Sequence, residues 1–507
     1  MKDLQKVEKM IFGLIKNYSI TKYAYLCFFL LFLNCAGRSE FDVDILDIPV
    51  PKSWQITFPD NKDFVGEWWL SFQDSALTNY LSKYKVNSPT VRTLLQNQKL
   101  AKYNASISSS SIFPQLNFSA RLDTNTQNLS GFGFATVLLG DSDDSGDDDN
   151  TNQSSNNSQD VISFGNTSAG INLNLQWEID IWGRLINARK AAYKNYNSML
   201  HDLAYLRFST EVRATQLYFK GVESAAQLEL SKNSYNSLVE IRDLVKDRYE
   251  RGLRPSLDYR LAETSVAISI VSMENNKNQL KSINRELEIL IGEYPKGVLV
   301  ENTLIPTLLP QIKEELPASL IQRRPDIQSL LLQVESKNYN VAESKRNLLP
   351  GIFFNGNIGT SAQSLEDLLN KDYGIWNIGL NATAPIFNGK KLRSLVKVQE
   401  AAFEVSKQNL IKGVLNAFSE VEQQLELGES LNLQVAALET ALKQSEDAYN
   451  LSKERYDSGV TSLESVLNSQ RQFNDIKSQH IRIKRLIVDN RLSLILALGG
   501  NSPQNKI

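Results

Sequence analysis

Two carboxylates stand two residues apart at Glu178 and Asp180, within the run Trp177-Glu178-Ile179-Asp180-Ile181-Trp182-Gly183-Arg184. On one face of a strand they would lie roughly 7 Å apart, a separation at which carboxylate pairs hydrolyse glycosides. They also continue the polar series Asn172, Asn174 and Gln176. The wet face of a strand therefore explains them without catalysis, and no other element of a hydrolase site is visible. His201 and His480 lie in separate helical stretches without an HExxH-type partner, so surface or packing roles are expected. Cys27 and Cys35 are the only cysteines, and the 472 residues that follow hold no Cys-based zinc site, disulfide or thiol nucleophile. With 55 Lys+Arg against 57 Asp+Glu there is no basic excess to favour nucleic acid. We expect no catalytic residue, no metal and no cofactor.

The N-terminal 34 residues carry Lys2, Lys6, Lys9, Lys16 and Lys22, then the ten-residue apolar run Ala24 to Leu33. A bilayer span needs about 20 apolar residues, so this reads as an export signal and not an anchor. Phe32-Leu33-Asn34-Cys35 then resembles a bacterial lipobox, with Cys35 as the acylated first residue of the mature chain. Asn34 departs from the usual small residue, and an ordinary signal peptide is the alternative. Removing the leader takes the net charge from −2 to about −5, and six Asp between Asp141 and Asp149 make that acidity local.

The chain repeats itself. Arg248-Tyr249-Glu250-Arg251-Gly252 recurs 207 positions later as Arg455-Tyr456-Asp457-Ser458-Gly459. Gly183 of Trp182-Gly183-Arg184 corresponds to Gly389 of Phe387-Asn388-Gly389 at a shift of 206, and Phe113-Pro114-Gln115-Leu116 to Leu349-Pro350-Gly351-Ile352 at 236. The difference of about 30 falls in Ser130 to Gly165, rich in Asp, Ser, Asn and Gly, which reads as a solvated insertion. Each copy begins with two segments of alternating apolar and polar residues. Apolar Leu116, Phe118, Ala120 and Leu122, then Ile171, Leu173, Leu175 and Trp177, interleave with Asn, Ser, Gln and charged residues. In the second copy Phe354 and Ile358, then Trp376, Ile378, Leu380 and Ala382, interleave with Asn355, Asn357, Asn377 and Asn381. Strands are expected at about 115–123, 168–178, 351–360 and 375–385. Alternation of this kind fits a lipid-facing barrel and an ordinary half-buried sheet equally well.

The segments that follow decide between them. Arg184 to Arg251 is 68 residues without Pro, and Lys390 to Ser458 is 69. As single helices each would measure about 100 Å, beyond any globular core. Val435, Leu438, Leu442, Ser445, Tyr449, Ser452 and Tyr456 step by three and four, a coiled-coil seam diluted by Ser. Return helices are expected from about Leu257 to Leu290 and Leu463 to Leu498, giving two hairpins with tips near Gly252 and Gly459. Two-stranded hairpins have open edges, which lipid forbids, and four strands cannot enclose a lumen, so several chains must contribute.

These residues resemble the TolC-like outer-membrane efflux proteins, in the lipoprotein branch that serves resistance-nodulation-division pumps. The likeness rests on Trp68-Trp69 with Phe72 and Asp74, the Trp177 to Arg184 run, Arg324-Pro325-Asp326-Ile327, Ala384-Pro385-Ile386-Phe387-Asn388-Gly389 and the paired tip motifs. Without the likeness, Trp68-Trp69 reads as packing, and Pro325 and Asp326 as the first turn of a helix. The resemblance implies a mixed fold, a membrane β-barrel continued by a long α-helical barrel, in a homotrimer whose chains each supply four of twelve strands. It implies a passive exit duct, partnered by a periplasmic adaptor and an inner-membrane pump, lipid-anchored in the outer membrane with its helices in the periplasm. The domains expected are a signal peptide at 1–34, an acylated arm at 35–74, repeats at 75–295 and 318–499, an equatorial linker at 296–317 and a tail at 500–507. The tips Arg248, Tyr249, Gly252, Arg455, Tyr456 and Gly459 would dock on the adaptor. Family positions that narrow the pore fall on Ser465 and Asn468, with Asp258 and Glu464 as the nearby carboxylates, and Arg254 and Tyr456 as candidates to offset their repulsion. A cell-surface coiled-coil lipoprotein without transport explains the leader and helices but neither strands nor repeat, and a secreted glycosidase rests on Glu178 and Asp180 alone.

Overall fold

A computed structural model describes residues 50–56, 68–128, 163–307, 309–310, 312 and 317–499. Cys35, the leader and the acidic run Asp141 to Asp149 lie outside these residues. The chain divides into two compact units, one comprising 1–39, 107–189 and 339–399, the other 40–106, 190–338 and 400–507.

The first unit holds a four-stranded antiparallel sheet in the order β1-β2-β3-β4: β1 Gln115–Asn128, β2 Ser163–Ile179, β3 Gly351–Ala362 and β4 Gly374–Thr383. Its register sorts the side chains, because directly opposed residues share a face. Asn117, Asn174, Asn357 and Asn377 form one continuous row across all four strands, and Phe118, Leu173, Ile358 and Trp376 form the next. The apolar face is bare: Phe118 is 68% exposed, Trp376 75% and Ile378 67%. Among the described residues both β1 and β4 leave one edge unpaired. β1 and β2 extend past the expected ends, to Asn128 and back to Ser163, so Ser163 to Gly165 belong to a strand and not to the insertion. Polar Thr124 to Asn128 lack the alternation that marks a strand, but they still pair through the backbone, which needs no apolar side chain.

Asp180 is a correction. It lies beyond the end of β2 and accepts a hydrogen bond from the Ile186 amide at 2.7 Å, while Glu178 binds Arg184 at 2.9 and 2.5 Å. The two carboxylates fasten the strand-to-helix turn separately and do not form one strand-face pair.

In chain order the helices are α1 Ser75–Asn87, α2 Pro89–Ser110, α3 Arg184–Glu250, α4 Ser256–Leu290, α5 Pro317–Arg323, α6 Pro325–Arg346, α7 Lys391–Asp457 and α8 Leu463–Ala497. The duplication is visible in their lengths. α2 and α6 each have 22 residues and open on Pro, whose missing N–H costs nothing in a first turn. α3 and α7 each have 67, and α4 and α8 each have 35. Gly183 and Gly389 both turn left-handed, at φ +75° and +56°, and Lys390 adds one more such residue at +70°. That extra residue turns the 206-residue shift between the glycines into 207 between the helices.

In the second unit the core gathers Trp68, Trp69, Phe72, Tyr80, Phe219, Leu287 and Val421 with their neighbours. Trp68 and Trp69 meet edge to face at 5.3 Å and are buried, as packing residues. Asp74 caps α1 through the amides of Ala76 and Leu77 and accepts the Tyr218 hydroxyl at 3.0 Å. Among the described residues no helix is long and apolar enough to cross a membrane.

Candidate functional site: the hairpin tips

Each long helix ends the same way. Gly252 and Gly459 adopt φ of +72° and +79°, where a residue with a Cβ is strained. The Gly252 amide donates to the Tyr249 carbonyl and the Leu253 amide to that of Arg248, at 2.9 and 2.8 Å. Gly459 and Val460 donate to Tyr456 and Arg455 at 3.0 and 2.8 Å, a matched pair of Schellman closures. A Cβ at either glycine would meet nothing within 4 Å, so the tips are open. Leu253 and Val460, just past the turns, are 68% and 73% exposed. α8 then starts on Ser462, whose hydroxyl accepts from the Ser465 amide, and α4 starts after Pro255 with Asp258 in its first turn.

Repetition of sequence does not bring repetition of contacts. Tyr456 is buried at 2% exposure, whereas Tyr249 lies 41% exposed and stacks on Tyr259 at 5.7 Å. The Arg254 and Arg248 guanidinium groups stand 4.6 and 5.5 Å from the Tyr456 ring, within cation–π range. Arg254 also donates to the Tyr456 carbonyl at 3.4 Å, and Arg248 pairs with Asp457 at 3.2 Å. Arg248, Arg254, Tyr456 and Asp457 thus form one cluster that ties the first tip to the second. Burial pushes the Tyr456 phenol up, partly offset by Arg254. Arg248 is near enough to favour the ionised phenol but outside hydrogen-bond geometry, so the buried hydroxyl lacks a partner. Within the chain Arg254 and Tyr456 engage each other. Glu464, Ser465, Asn468 and Arg455 are exposed, and Asp258 is half-buried near Tyr456.

Two clusters in the second unit escaped the sequence reading. Arg324, its side chain 2% exposed, donates to both Asp326 oxygens at 3.0 and 2.7 Å, to Glu420 at 2.6 Å and to the Ala497 carbonyl at 3.0 Å. Burial alone would lower its pKa, and the Asp326 and Glu420 bonds outweigh that and raise it. The only hint in the sequence was the Arg-Pro-Asp triplet. The second cluster sets Arg485 between Glu223, at 2.5 Å, and Asp489, whose other oxygen is buried without a partner. Burial pushes the Asp489 carboxyl up to about 6, opposed by Arg485 and Lys220 and reinforced by Glu223. A folded-state value above the ordinary one means the folded chain takes up this proton first, so the contribution of Asp489 to stability rises as pH falls from about 6 toward 4. We therefore predict that the melting temperature of Asp489→Asn falls relative to wild type as pH is lowered from 7 to 4. An Asn variant whose melting temperature tracks wild type across that range would refute the assignment. His201 and His480 lie in α3 and α8, both lowered by burial, and the described residues hold no metal-binding group of three or more ligands.

A sheet bare on its apolar face and two hairpins of matched length fit the mixed strand-and-helix fold expected from the sequence. The family model described as outer membrane efflux protein matches residues 80–293 and 316–500. The chain belongs to that family. Among curated relatives, the pyoverdine export outer membrane protein OpmQ of Pseudomonas putida is 24% identical over 94% of this chain and 97% of its own length. The cation efflux system protein CusC of Escherichia coli is 24% identical over 66% of this chain and 72% of its own. Of solved structures, the Campylobacter jejuni CmeC outer membrane channel superposes with a TM-score of 0.75 at 20% identity, covering 90% of this chain and 92% of that one. The fold is that of a TolC-like channel, and this outer-membrane efflux protein belongs to a family of transport channels rather than enzymes.

Proposed function

We propose that the channel works as a homotrimer, four strands per chain closing a twelve-stranded barrel, and that it passes small molecules outward from an inner-membrane pump through a periplasmic adaptor. The observation that carries this reading is the sheet: two edges unpaired among the described residues and a bare apolar face need both lipid and further strands. Acylation at Cys35 would add a lipid anchor, and an N-terminal peptide of unmodified mass would remove it. The hairpins then stand in the periplasm, with the insertion before β2 at the outer surface. The domain boundaries follow as leader, acylated arm, two repeats, equatorial linker and tail. That relatives are named for pyoverdine export and for cation efflux fits a duct whose cargo is chosen upstream.

The open tips are the adaptor's grip, at Arg248, Tyr249, Gly252, Arg455 and Gly459, with Tyr456 buried beneath them as their support. The aperture rests on Asp258 and Glu464, with Ser465, Asn468 and Arg254 beside them. Gly252→Val and Gly459→Val should abolish export by cells while trimer and membrane insertion persist, and undiminished export would remove the tips from the mechanism. In planar bilayers Asp258→Ala with Glu464→Ala should raise resting conductance and weaken cation preference. Conductance and preference equal to wild type would put the aperture elsewhere.

A further inference from the structure

At the end of the sheet away from the helices, β3 and β4 are joined by Gln363 to Tyr373, which holds two short 3-10 turns, Glu366–Leu369 and Lys371–Tyr373. The strand register shows which face this connection takes. Opposed residues share a face, and Thr360 stands opposite Ile171, in the apolar series of Leu173, Ile358 and Trp376. Its hydroxyl donates to the Leu368 carbonyl at 2.7 Å, so the first turn folds back over the apolar face and not toward the Asn row. There it packs on both β2 and β3. Ala169 and Ala362, opposed on that face, are 1% and 5% exposed, whereas Leu122 beside them is 57% exposed.

The same register shows where the apolar face ends. It runs from Ile179, Ile352 and Ala382 near the helices to Leu122, Ala169 and Ala362, and beyond that row stand Thr124 with Thr167 and Thr126 with Gly165. From Ile179 back to Ala169 is ten residues, about 33 Å of strand. At a tilt of about 35–45° that stands about 25 Å tall, the height of a lipid-facing band. The turn therefore sits at the outer margin of the band, on the apolar side of the sheet. Yet it carries Leu365 and Leu369, 61% and 89% exposed. Its backbone is closed on itself: the Leu368, Asn370 and Tyr373 amides donate to the Leu365, Asp367 and Asn370 carbonyls at 3.4, 3.0 and 3.1 Å, and Thr360 satisfies the Leu368 carbonyl. Irregular backbone beside lipid needs its polar groups satisfied in this way. Glu366, Asp367, Lys371 and Asp372 keep any immersion shallow.

We propose that this connection is a lipid-contacting collar, Leu365 and Leu369 entering the acyl chains of the outer leaflet where the apolar band ends, with the carboxylates among the headgroups. Interfacial segments of this kind reach about 5–10 Å into the boundary between headgroups and chains. Repeated around the barrel, the leucine pair holds it at one height in the bilayer. The inference rests on the barrel reading above but fails separately from it.

Fluorescence in phosphatidylcholine vesicles tests it with the full-length channel, Cys27 and Cys35 replaced by Ala so that each introduced thiol is alone. An environment-sensitive probe is attached at Leu369→Cys, at Ile378→Cys on the band or at Thr126→Cys beyond it. A nitroxide near the glycerol end of the acyl chains should quench the Leu369 and Ile378 probes by about half or more, and iodide on both sides by less than about a tenth. The Thr126 probe should show the reverse. If the Ile378 probe escapes the nitroxide, the apolar face is not in lipid and the barrel reading itself falls. If that probe is quenched by nitroxide while the Leu369 probe is reached by iodide, or shielded from both, the turn lies in water or under protein and the collar alone is overturned. A Thr126 probe in lipid would carry the band past the turn and overturn its place at the margin. Thr360→Val in the Leu369→Cys chain removes the bond to Leu368 and should raise iodide quenching of that probe about fivefold, the ratio for one ordinary hydrogen bond. Unchanged quenching would take Thr360 out of the collar's anchorage.

Discussion

Arg324→Leu is expected to destabilise the helical unit by about 3–5 kcal/mol, the usual cost of removing one partner from a buried ion pair. The guanidinium, 2% exposed, holds Asp326 in a two-bond fork and also satisfies the Ala497 carbonyl at the end of α8. Leucine fills part of the volume but leaves a carboxylate and a carbonyl without donors. Glu420, 49% exposed, can turn to water, so most of the loss comes from Asp326 and the carbonyl. Arg324→Lys keeps the charge without the planar fork and should fall between the two. Thermal scanning with limited proteolysis would read the series. A Leu variant that melts with wild type would show the cluster to be energetically neutral.

The second large effect concerns the tip. Tyr456→Ala should cost about 3–5 kcal/mol of local packing, in the range for deleting a buried aromatic ring. It empties the position where α3, α4, α7 and α8 converge and strips two guanidinium groups of their ring. Tyr456→Phe should be neutral or slightly stabilising, because the buried hydroxyl has no partner to lose. The matching change at the other tip, Tyr249→Ala, should cost less than about 1 kcal/mol, since that ring is half exposed. Hydrogen exchange at the tip amides would separate the three. Equal protection in Tyr456→Ala and Tyr249→Ala would mean that the asymmetry carries no energy.

Much of this architecture is legible in order of residues because its signals are local. Alternation at Leu116 to Leu122 marks a strand, and absence of Pro from Arg184 to Arg251 marks a helix. Gly252 and Gly459 mark its stop, since a left-handed turn there needs glycine. The limits lie where pairing is remote or carried by backbone. Thr124 to Asn128 look like loop and are strand, because their partners lie across the insertion. Asp180 looks like the next residue of a strand face and is a turn fastener, because the strand ends one residue earlier. Arg324 binds a carboxylate 96 residues away and a carbonyl 173 away. Nothing in a linear pattern encodes those partners. Nor does it show that two near-identical tip motifs place one tyrosine inside and the other outside.

The equality of lengths constrains how such a chain can change. One added residue rotates everything beyond it on a helix by about 100° and advances it by about 1.5 Å. In α3 alone that would swing Gln216, Glu223 and Gln227 out of line with their partners Asp489, Ser493, Arg485 and Ser478 on α8, pull Arg248 off Asp457 and lift one tip above its twin. Lys390 shows where an extra residue is harmless: before the helix starts, in a turn that absorbs it. Insertions and deletions should therefore accumulate at the strand-to-helix junctions and in the segment before β2, while 184–290 and 391–497 vary by substitution alone. The reach of the hairpins is inherited as a set of four helices, and it lengthens or shortens only when all four change together.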